Sequence, residues 1–137
     1  MRVQVSFHLA TNDIYTRVIS MPFPSPHEIL LLDEKRIMPW LRSLPTWYSE
    51  NASIPPQYRL GHAIMMWRYR NFRLIMYRPF VIRRILKTRA GQYCAVPDEA
   101  EQAAYSRCLT EAKASISSIH KFWSENPHTC LAAWYAL

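Results

Sequence analysis

The chain has 137 residues, half of them hydrophobic, and a formal net charge of +7 at pH 7; that suffices for one domain with a buried core and excludes a disordered, charge-dominated tail. Two glycines against ten prolines leave few positive-φ positions for tight hairpins or phosphate loops and many places to start and stop helices, which favours an all-α chain. Seventeen lysines and arginines against ten acidic residues allow a polyanion or acidic-protein partner without requiring one.

Cys94, Cys108 and Cys130 are odd in number and widely spaced, so neither a disulfide framework nor a zinc knuckle is expected, and a reducing compartment is the simpler reading. The opening MRVQVSFHLATNDIY lacks the unbroken apolar run and cleavage signature of a secretion signal. No stretch approaches the roughly 18 consecutive apolar residues of a membrane span, so no membrane partner is expected.

In chain order, Val3, Phe7, Ala10, Ile14 and Val18 fall in one arc of about 80° and predict a first helix to about Ser20. Ser25-Pro26-His27-Glu28 reads as a capping box that starts a second helix, with serine bonding forward and glutamate reaching back. Its apolar arc holds Ile29, Leu30, Ile37, Trp40, Leu41 and Leu44, and Pro39 either kinks the helix or restarts its last turn before Pro45 ends it. The polar, proline-bearing segment 45–57 predicts a loop, and a long central helix follows over about residues 58–88.

Leu60, Ile64, Trp67, Leu74 and Ile75 form one apolar arc of that central helix, and Met65, Tyr69, Phe72 and Met76 a second. A helix apolar on two sides is packed on two sides. After a loop from Arg89 to Pro97, Asp98 is placed to cap a fourth helix whose arc holds Tyr105, Cys108, Ala112, Ile116, Ile119 and Trp123. The closing HTCLAAWYAL reads as the opening of a fifth.

The central helix also carries WRYRNFRLIMYRPF, residues 67–80, where arginines alternate with aromatic rings. A helix that reads DNA gathers its basic residues on one free side. Here Arg59, Arg70 and Arg73 share a face, Arg68 points nearly opposite, and Arg78 falls within an apolar arc. The expectation is a core helix whose arginine stems snorkel to solvent. Asp33, Asn71 and Arg78 all sit in apolar arcs, and because a buried guanidinium needs a carboxylate, they are a candidate buried polar cluster in which Asp33 faces Arg78, the alternative being simple partial exposure of each. Arg83, Arg84, Lys87 and Arg89 form a candidate basic patch, read first as a solvated helix end whose cations suit the C-terminal dipole.

IY-x-R, PFPSPHEILLLDEKRIMPWLRSLP, WRYRNFRLIMYRPF, RCLTEAKASISSIHKFW and LAAWYAL occur in that order from about Leu9 to Leu137. Together they resemble the fungal-specific transcription factor domain, the middle homology region of zinc binuclear-cluster regulators; YRPF at Tyr77 to Phe80 is the most characteristic piece. The resemblance implies that residues 1–137 are a single partial domain, an interior fragment of a nuclear regulator of RNA polymerase II transcription. It implies an effector-responsive or partner-responsive role without catalysis. DNA contact and zinc belong to an N-terminal six-cysteine cluster absent from this chain, so no cofactor is expected here. It implies as partners DNA through that absent domain, a small-molecule effector or regulatory protein, and a homodimer.

Three rival classes stand beside it. An enzyme is disfavoured because His8, His27, His62, His120 and His128 are scattered and no H-E-x-x-H, G-x-S-x-G or phosphate loop occurs. A stand-alone helical protein-interaction module makes nearly the same structural expectations. A basic nucleic-acid binder would show steeply salt-dependent affinity resting on the 83–89 cations.

Overall fold

The computed structural model describes residues 2–48, 52–91 and 98–136. Among them all regular structure is helical: α1 Arg2–Ile19, α2 Pro26–Leu32, a π-helical turn Asp33–Ile37, α3 Met38–Ser43, a short 3-10 turn Thr46–Tyr48, α4 Pro56–Arg89, α5 Glu99–Glu125 and α6 Cys130–Ala136. None of these helices is long and apolar enough to cross a membrane. Parts of both expected loops, residues 49–51 and 92–97, and Cys94 with them, lie outside the described residues.

Helix α1 buries the side its spacing predicts, with Phe7, Ile14 and Val18 in the core and Val3 and Ala10 packed against it. Half of the capping box forms: the Glu28 N–H donates to Ser25 Oγ at 3.2 Å. The Glu28 carboxylate does not reach back but takes a bidentate pair from Arg17, at 2.6 and 3.0 Å. The charged fork of a guanidinium outcompetes a single backbone N–H for a carboxylate, and the bond from Arg17 draws the Glu28 pKa down. It also ties the end of α1 to the start of α2.

Pro39 explains the π turn. Lacking an N–H, it cannot bond the Lys35 carbonyl, and its ring crowds that turn. The chain widens instead, the Met38 N–H donating five residues back to the Asp33 carbonyl, and α3 restarts with Pro39 in its first turn. The extra residue in the turn brings Asp33 and Ile37 both to full burial.

Helix α4 has apolar cores on two sides, as its two arcs require. One joins Met65, Tyr69, Met76 and Phe80 to Phe7, Ile14, Ile29, Ile37 and Trp40. The second joins Ile64 and Trp67 to Ile119, Phe122 and Tyr135. Trp40 stands at the junction of three elements, 4.8 Å from the Phe7 ring and 5.7 Å from that of Tyr69. Gly91, at φ 67°, accepts the left-handed conformation that follows the helix.

Helix α5 keeps part of its expected face, with Cys108 buried and Ile119 packed on the Trp67 cluster, and departs from the rest. Its buried residues are Ala100, Ala104, Cys108 and Glu111, while Ile116 is 69% exposed. Small side chains let α5 approach α4 closely, and Glu111 finds partners there that a periodicity count of apolar residues cannot see. Met76→Ala, at full burial, is therefore expected to cost about 2–5 kcal/mol, whereas Ile116→Lys stays within about 0.5 kcal/mol of the parent; urea unfolding of both variants reads the contrast.

Candidate functional site

Two arginines of α4 that could have snorkelled to water are buried instead. Arg70 is 7% and Arg73 8% exposed, and they point toward α5 and the π turn. Arg73 NH2 donates to Asp33 Oδ2 at 2.7 Å, and NH1 donates to Tyr69 Oη at 3.0 Å and to Glu111 Oε1. One guanidinium thus joins three elements through two carboxylates.

The same Asp33 Oδ2 accepts from Tyr77 Oη at 2.6 Å and from Arg107 NH1 at 3.1 Å. Arg107 extends outward to Glu34 at 3.3 Å, and Glu111 Oε2 lies 3.8 Å from Arg70 NH1. The outer ring is half exposed, but Asp33 is fully buried. Burial opposes the Arg73 charge, yet the Asp33 carboxylate more than reverses this and holds its pKa above the usual guanidinium range. Burial, reinforced by the neighbouring Asp33 charge, pushes the Tyr77 hydroxyl well above the usual phenol range. Tyr69 rises for the same first cause.

The expected cluster is thus corrected in two of its three members. Asp33 is buried, but Asn71 and Arg78 are exposed, and the pairing of Asp33 with Arg78 does not form. Five residues of α-helix place Arg78 about 140° around the axis from Arg73, so only one of them can face the π turn. The expectation that the central arginines reach solvent fails for Arg70 and Arg73 because α5 covers their face. Glu111, Tyr77 and Arg107 were missed. Their signal was the spacing of Ala100, Ala104, Cys108 and Glu111, a small-residue stripe ending in an acid opposite two arginines on a shared face.

The candidate basic patch is dispersed over several neighbours. Arg84 lies 4.3 Å over the Tyr105 ring and bonds Gln102, Lys87 meets Glu101 at 3.4 Å, and Arg83 lies 5.1 Å over the Phe23 ring. Arg89 is exposed at the helix end. Two of the four therefore brace α4 against the start of α5. The buried Cys108 thiol has its pKa raised by burial, and Cys130 is exposed. Among the described residues no three His, Cys, Asp or Glu side chains gather as a metal ion would need.

Comparison with protein-family models, curated proteins and solved structures finds no match to this chain.

Removing one partner of a buried ion pair leaves the other charge uncompensated. Asp33→Ala is expected to cost about 3–5 kcal/mol, Arg78→Met less than about 0.5 kcal/mol, and the Asp33/Arg73 double-mutant cycle to show coupling, all read by urea unfolding. Alkaline pH gives a separate expectation. Tyr77 has a folded pKa raised above the roughly 10 of an unfolded tyrosine, so its contribution is fully present below about pH 10 and is lost as pH climbs toward the folded value. Stability should fall with pH above about 10, and Tyr77→Phe should flatten that slope.

Proposed function

We propose that the chain is a helical regulatory module of a fungal DNA-binding transcription factor, acting in the nucleus and responding to a small molecule or a partner protein. The observation that carries this reading is the inward course of the segment bearing the resemblance. Arg73 and Tyr77 of WRYRNFRLIMYRPF turn onto Asp33, so the residues that make the segment recognisable serve the joint between helices rather than a polyanion. A buried joint of charges linking three elements is the kind of contact whose making or breaking separates two arrangements of a domain, and a ligand that favours one arrangement shifts the population toward it. DNA contact and zinc are left to the six-cysteine cluster that the resemblance implies elsewhere in the parent protein.

A second reading, a stand-alone interaction module, is favoured by exposed Leu131 and Trp134 on α6, at 54% and 76%. Both readings disfavour direct nucleic-acid binding, since Arg73 is held by two carboxylates and Arg70 lies beside one of them. Fused to a heterologous DNA-binding domain at a reporter promoter in a fungal host, the chain should change reporter output several-fold relative to that domain alone. The isolated chain should show no salt-dependent affinity for generic duplex DNA. An unchanged reporter overturns the regulatory reading, and tight salt-dependent DNA binding overturns the assignment of the arginines.

A further inference from the structure

We infer that the groove between the first half of α4 and the last half of α5 binds a small organic anion with an apolar body. The groove encloses about 520 Å³, within the range of small-molecule sites. Residues Ala52–Ile54 close one side, and Met66, Ala114 and Phe122 supply an apolar lining. Two cations line it from different helices, Arg59 on α4 and Lys121 on α5.

Neither cation has a carboxylate partner among the described residues, unlike Arg70, Arg73 and Lys87 of α4. Among the described residues Arg59 bonds only the Ile54 carbonyl, through Nε at 3.2 Å, which leaves its other N–H donors for a further acceptor. The Lys121 ammonium makes no ion pair with a described residue. Ser118 Oγ accepts from Trp67 Nε1 at 3.1 Å, which leaves its O–H to donate. Among the described residues lining the groove Glu125 is the one acid, and it stands four residues after Lys121, the weaker orientation for an intrahelical pair. A carboxylate or phosphate between Arg59 and Lys121, with its carbon body on Met66 and Phe122, satisfies cations and apolar lining together. As the site of a regulatory effector the groove rests on the function proposed above; as an anion site it rests on these residues alone.

The test titrates the full chain with benzoate, with its neutral isostere benzamide and with inorganic phosphate, following resonance shifts at low ionic strength. Benzoate is expected to bind about tenfold more tightly than benzamide, and phosphate, lacking a body for the apolar lining, more weakly than benzoate. The double variant Arg59→Gln with Lys121→Gln, both at exposed positions, should reduce benzoate to the level of benzamide. Glu125→Gln should tighten it, and Arg83→Gln at the far end of α4 should leave the ratio unchanged. Equal binding of benzoate and benzamide, a preference that survives in the double variant, phosphate as tight as benzoate, or no saturable benzoate binding would each overturn the proposal. A responsive reporter with no benzoate binding removes the groove and leaves the regulatory reading; benzoate binding with a silent reporter does the reverse.

Discussion

The guanidinium of Arg73, held between Asp33 and Glu111, is the contact on which the arrangement of the other helices depends. Desolvating a guanidinium and two carboxylates is costly, and only good geometry with several hydrogen bonds offsets it. That geometry is supplied from three places in the chain. The π turn delivers Asp33, α5 delivers Glu111, and α4 delivers the arginine together with Tyr69, which accepts from it, and Tyr77, which donates to the same Asp33 oxygen. Remove any one element and the others are left holding buried charge, which is why α5 turns Glu111 and its small residues toward the arginine face of α4 while Leu109 and Ile116 stay exposed.

Asp33 Oδ1, Arg73 Nε and Glu111 Oε2 are buried with no hydrogen bond from another described residue. A joint that combines strong charge-assisted bonds with such buried groups specifies one arrangement sharply while adding little net stability to it. That balance matters for a domain proposed to respond to a ligand. A core sealed by apolar packing alone would resist any change of arrangement, whereas an ionic joint near break-even leaves competing arrangements within reach of a modest binding energy. The apolar clusters around Trp40 and around Trp67 then serve as the rigid bodies on either side of it.

Helix positions and the two-sided packing of α4 were legible because apolar residues repeat at helical spacing and because prolines and the Ser25 cap mark the boundaries. Asp33 was legible as a buried acid, since it interrupts an apolar arc. Its partner was not. Choosing among the arginines of α4 requires knowing which side α5 covers, and α5 announces that side with alanines, a cysteine and Glu111, residues that carry little weight in a count of apolar positions. Arg78 looked buried because the arc of Leu74 and Ile75 runs through it, yet both of those neighbours are themselves only half-buried. The π turn was hidden for a related reason: Pro39 forecast a disturbance, but whether the helix kinks, stops or widens is decided by the packing of Asp33 and Ile37 behind it.

Arg70 connects the two sites. It lines the groove beside Met66 and Ala114, and it also stands at the edge of the ion network, where its 3.8 Å approach to Glu111 Oε2 is the longest of the network's ion pairs. Burial lowers the Arg70 pKa and the Glu111 charge works against that shift. An anion in the proposed groove would add a second source of negative potential beside Arg70, the residue that also meets Glu111. Arg70 thus sets the proposed groove and the buried joint side by side along the same two helices, α4 and α5.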